Sequence, residues 1–125
     1  MILLYIGVGG FFGAISRFLI AGAVQKVTGS TFPVGTLTVN ILGSFIIGVL
    51  AMLFQDIIAP QWKGFFITGF LGALTTFSSF SYETVSLFQQ GFFLQGFTNV
   101  LLNVFLCLSA TVTGMMVYLK AVSIK

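Results

Sequence analysis

Leu74-Thr75-Thr76-Phe77-Ser78-Ser79-Phe80-Ser81 places five hydroxyls and two aromatic rings in the middle of an otherwise apolar stretch. A bilayer core offers no water to an unpaired backbone group, and each one left bare costs several kcal/mol. Irregular, serine-rich backbone at that depth is tolerated only where protein buries it or where it lines a hydrated path. Two structures are open to these residues. One is a continuous helix whose hydroxyls bond back to carbonyls a turn earlier. The other is a helix broken at a transport site.

The rest of the chain sets the compartment. Of 125 residues, 58% are hydrophobic and 6% charged, and the mean hydropathy is +1.14. That leaves too little polar surface for a soluble domain of this length. The charges fall at Arg17, Lys26, Asp56, Lys63, Glu83, Lys120 and Lys125, with uncharged runs over 27–55, 64–82 and 84–119. A spanning helix needs about 20 apolar residues to cross a hydrocarbon core of about 30 Å. Four spans are predicted, at about 2–24, 33–55, 62–90 and 93–119, within a single membrane domain covering 1–125. The first is not a signal peptide, because no Lys or Arg precedes it and further spans follow.

Several chemistries are excluded. Without histidine there is no imidazole relay or histidine metal site. Cys107 is the only cysteine, so no disulfide forms within the chain. No catalytic triad or phosphate-cradling glycine loop can be assembled, and no enzyme is expected. The net charge of +3 comes from lysines at span edges and calls for no nucleic acid.

Charge hardly fixes orientation. With four spans, Lys63, Lys120 and Lys125 share one side, and Lys26 lies opposite, joined by Arg17 if that side chain snorkels. Such a small bias suits an ordinary protein with one orientation, and equally a chain that inserts both ways and pairs antiparallel.

Polar residues recur at helical spacing. Gly9 and Gly13 form a small-x-x-x-small pair suited to close helix packing. Arg17, a turn further on, must be paired, hydrated or snorkelling, or it sets a positive potential at the mouth of an anion path. Thr36, Asn40, Ser44 and Gly48 step by four along one face of the second span. Asn40 is either interhelical glue or a donor lining a pore. Gln95, Asn99, Asn103, Cys107 and Thr111 form a second such stripe. Two stripes of neutral donors, with no acidic ring, favour an anion or a neutral solute over a cation.

From Lys63 to Ala73 is about 15 Å of helix, half the core, so the break should lie near the midplane, with Gly69 and Gly72 stopping the first half. A helix ending there presents carbonyls suited to a cation, and a helix restarting presents N–H groups suited to an anion. Glu83 then falls in the restarted half, where it must pair, hydrate or reach the far interface.

At these residues the chain resembles the bacterial fluoride channel family (Fluc or CrcB) over essentially its whole length. The resemblance rests on Gly-Thr-Leu-Thr-Val-Asn at 35–40, Gly69-Phe70-Leu71-Gly72, the octapeptide at 74–81, Glu83, and Arg17 in the first span. It implies an all-α membrane protein of four helices, the third broken, assembled as an antiparallel dual-topology homodimer in the bacterial plasma membrane. It implies passive export of fluoride, and a static sodium ion held by backbone carbonyls of Gly72 and Thr75 from each subunit. The pore would be lined by Phe77, Phe80, Asn40, Thr36, Ser78, Ser81, Asn99, Asn103 and Cys107, with Arg17 in the vestibule. Relatives can carry a tyrosine and serines on the fourth span, where this chain has Asn99, Asn103 and Cys107. The alternative is a proton-coupled small multidrug exporter of organic cations. That would need a membrane-embedded carboxylate in the first span, which has only Arg17 at that depth.

Overall fold

A computed structural model describes residues 1–55 and 59–124. Helix α1 is Ile2–Thr28 and α2 is Val34–Leu53. Helix α3 covers residues 60–74: a first turn at Pro60–Lys63, a π-helical stretch at Gly64–Leu71 and a last turn at Gly72–Leu74. After a two-residue interruption come α4, Phe77–Gln89, and α5, Phe93–Ser123. Among the described residues, Pro60–Gln89 read as one segment joins α1, α2 and α5 as four helices long and apolar enough to cross a membrane. Lys125, which entered the weighing of orientation, lies outside the described residues, as does Asp56.

The ends follow from local chemistry. Helix α1 runs beyond the expected 24 to Thr28, and Gly29 closes it in the left-handed region at φ 59°, its N–H bonded to Gln25 O. The Gln25 side chain then fastens the following loop. Its amide donates to Ser30 O and Phe32 O, and its oxygen accepts from Gly35 N–H at 3.1 Å. Between α4 and α5 the turn is a Schellman motif on Gly91, φ 83°, with Phe92 N–H bonded to Leu87 O. So short a connection makes α4 and α5 antiparallel neighbours.

Apolar side chains face outward. Leu3, Phe18 and Leu94 are about four-fifths exposed, which suits lipid and not water. The interior combines a few apolar side chains, Val39, Leu71 and Leu74 among them, with glycines and with polar Thr36, Asn40, Thr84, Asn99 and Asn103. A Cβ on Gly9 or Gly13 would fall onto the carbonyl of Phe65 or Phe70, and one on Gly69 onto that of Ile6. These glycines press α1 against the π-helical stretch of α3, so the Gly9/Gly13 pair serves packing. Gly69, expected to help stop the helix, instead sits within this contact. Gly48 and Gly114 bring α2 against α5 in the same way, each facing a backbone carbonyl of the other helix.

This packing gives a first prediction. Gly13→Ala sets a methyl against backbone that cannot rotate away, so it should destabilise the protein by about 1–3 kcal/mol. Gly7→Ala, which meets open space within the chain, should be neutral or better. Thermal unfolding in detergent checks the pair, and equal midpoints for the two variants would show that α1 does not sit this close to α3.

Candidate functional site

The eight-residue motif contains a break of only two residues, Thr75 and Thr76, both extended (ψ 154° and 113°). Helix α3 continues through Leu74 because Thr75 N–H still finds Leu71 O at 3.0 Å. Helix α4 restarts at Phe77 because Thr76 is its N-cap, its hydroxyl accepting from Ser79 N–H at 3.1 Å. Ser78, Ser79 and Ser81 therefore lie in regular helix. The expectation of a longer irregular segment is corrected, since one good cap resumes the helix at once.

Asn40 makes the break possible. Its Oδ1 accepts from Thr76 N–H at 2.8 Å and its Nδ2 donates to Thr76 O at 3.2 Å. Both backbone groups of the interrupting residue are thus satisfied without water, as membrane depth requires. Gly72 and Thr75 are among the residues whose carbonyls lose their helical donors as a result. In a continuous helix Thr76 N–H would reach Gly72 O, and Ser79 N–H would reach Thr75 O. One donor is taken by Asn40 and the other by the Thr76 hydroxyl.

Two cavities flank this point. The first, about 450 Å³, is lined by Phe77 and Phe80, by Asn40, Asn103 and Cys107, and by Gly72 and Thr75 among others. The two rings lie 5.4 Å apart, tilted at 58°, and Phe77 is 79% exposed. The second, also about 450 Å³, is lined by Arg17, Thr36, Thr76 and Ser79 together with small residues of α1. Thr76 borders both. Thr36 also donates to Glu83 Oε1 at 2.7 Å, linking α2 to α4, while the buried Glu83 Oε2 has no partner among the described residues.

The structure thus brings Phe77, Phe80, Asn40, Asn103 and Cys107 to one cavity with Gly72 and Thr75, and puts Arg17 and Thr36 at the other. Ser78 and Ser81 are exposed and border neither cavity, and Asn99 is buried, 1% exposed, behind Asn103. Sequence reasoning passed over Thr76 and Thr84. Thr76 was findable as a threonine three residues before Ser79 at a helix start. Thr84, buried in the middle of α4, carried no such signal.

Residues 4–115 match the family described as CrcB-like protein, Camphor Resistance (CrcB). A protein named fluoride-specific ion channel FluC from a Nitratiruptor species is 60% identical over 115 residues, covering 92% of this chain and 90% of that protein. A protein of the same name from a Sulfurovum species is 58% identical, covering 94% and 93%. Another from Methanococcus maripaludis is 49% identical, covering 90% and 91%.

Proposed function

The chain belongs to the CrcB-like family, and on that premise we propose that it is a fluoride-selective channel through which fluoride leaves the cell passively, lowering its toxicity. It is a multi-pass protein of the bacterial plasma membrane. One observation carries the mechanism: two phenylalanines and a capped helix break meet at one cavity. Fluoride is small and strongly hydrated, so a selective path must replace its water with close, positively polarised groups. An aromatic ring is negative on its face and positive at its edge, so Phe77 and Phe80 can meet an anion edge-on. Asn40 keeps the break in shape and shows the path a neutral amide. Arg17 gives the neighbouring cavity a positive potential that gathers anions. The exporter reading is not favoured, since the charges of α1, Arg17 and Lys26, are both cationic.

Two copies in antiparallel orientation, each with its own path, complete the proposal, and the nearly even charge balance lets one chain insert both ways. Carbonyls at the end of a half-helix suit an alkali cation. The Gly72 and Thr75 carbonyls, whose helical donors are diverted, would hold sodium where two copies meet. Those carbonyls would give a cation partly negative oxygens to rest against, and an ion held in that way would be static and not itself carried. A single chain supplies only half of such a cage.

Proteoliposomes loaded with fluoride test both parts. Efflux should proceed with potassium and valinomycin balancing charge and no pH gradient. It should fall when a large organic cation replaces sodium on both sides. Efflux that needs a proton gradient would favour the exporter, and efflux indifferent to sodium would remove the ion from the mechanism.

A further inference from the structure

Behind the cavity wall the buried polar side chains of three helices form a single directional chain of hydrogen bonds. Asn40 Nδ2 donates to Asn103 Oδ1 at 3.0 Å, and Asn103 Nδ2 donates to Asn99 Oδ1 at 3.0 Å and to Asn99 O at 2.9 Å. Asn99 Nδ2 donates to Thr84 Oγ1 at 2.9 Å, and the Thr84 hydroxyl donates to Phe80 O at 2.7 Å. All four side chains are at most 9% exposed. Each amide accepts on one side and donates on the other, so no member can flip without unpairing its neighbours. Both N–H groups of Asn40 are committed, to Thr76 O and Asn103, and both of Asn103 are committed to Asn99.

We propose that Thr84 and Asn99 are positioning residues for conduction: they fix the amide of Asn103, and through it that of Asn40, in the orientation that holds the Thr76 break. The ladder begins at the carbonyl of Phe80 and ends at the backbone of Thr76, so it also ties one ring of the cavity to the interruption beside it. Asn99 and Asn103 thus serve as amides locked edge to edge, with no spare N–H on Asn103 for a passing ion. A buried polar network of this kind is stiff when complete and costly when one member is removed.

The effect on conduction rests on the channel reading, whereas the ladder itself can be observed separately. The chain has three asparagines, and all are in the ladder. Protein labelled with ¹⁵N-asparagine therefore gives three side-chain amide signals, assignable by single Asn→Ser substitutions. Thr84→Val, which removes the acceptor at constant size, should shift all three signals, that of Asn40 included. Fluoride flux should drop about tenfold, the scale of one buried polar group left unpaired. Thr84→Ser should restore the signals and the flux together. If only the Asn99 signal moves, or if flux falls while the Asn40 signal stays in place, the proposal is overturned. Should Thr84→Val fail to assemble, Thr84→Cys, similar in size with a weak acceptor, is judged by the same criteria. Wild-type protein that passes no fluoride would defeat the channel reading, and the three amide signals would still decide the ladder.

Discussion

Asn40→Asp should lower fluoride flux by about a thousandfold, the largest loss expected from any single substitution in this chain. Two unit charges 4 Å apart repel by about 4 kcal/mol at an effective dielectric of 20. A carboxylate at position 40 would meet every fluoride that enters the cavity bounded by Phe77 and Phe80. It would also lose the two donor bonds to Thr76 O and Asn103 Oδ1, bringing acceptor against acceptor. Asn40→Ala separates the two effects, because it removes the bonds without adding charge. The alanine variant gives up three hydrogen bonds at about 1 kcal/mol net each, so it should lose about a hundredfold, still short of the aspartate's loss. Flux through reconstituted protein, normalised to the amount that elutes as assembled channel, makes the comparison. Equal losses in Asp and Ala would mean that the side chain braces the break away from the ion path.

Phe77→Ile and Phe80→Ile should each reduce fluoride flux by at least about tenfold while leaving the protein assembled. Isoleucine keeps apolar bulk and removes the ring whose edge carries the positive end of the quadrupole. Phe77 is mostly exposed within its own chain, so its loss opens no cavity in the core. Loss of flux there cannot be assigned to loss of packing within the chain. Phe80 is half-buried and its carbonyl receives the Thr84 hydroxyl, an interaction that the backbone retains in the isoleucine variant. Unchanged flux in both variants, at equal protein, would leave the rings as packing residues only.

Much of this was legible in the chain because membrane segments announce themselves by length and charge spacing. The four spans follow from where the charges stop, and the octapeptide at 74–81 marked the interruption to within a few residues. Of the residues at the four-residue step, Asn40 meets the break, whereas Thr36 donates to Glu83 further along α4. Other features depend on which partner a group finds in space. Thr76 alone restores the helix, so Ser78 and Ser81 sit on ordinary exposed turns and not in irregular backbone. Asn99 and Asn103 read identically along the stripe, yet one lines the cavity and the other lies behind it, 1% exposed. Along the chain Thr84 is indistinguishable from any helix-interior threonine, and only the Asn99 amide that donates to it sets it apart. The fluoride reading itself rests on the resemblance of motif and family, which composition and periodicity narrowed only to an anion or a neutral solute.

The most direct measurement is the reversal potential of the reconstituted protein in a planar bilayer, with a fluoride gradient across it and equal chloride, sodium and pH on both sides. The current should reverse at the fluoride equilibrium potential and should persist without any proton gradient. Reversal at zero, where the matched ions balance, would contradict fluoride selectivity, and so would a silent bilayer containing correctly assembled protein.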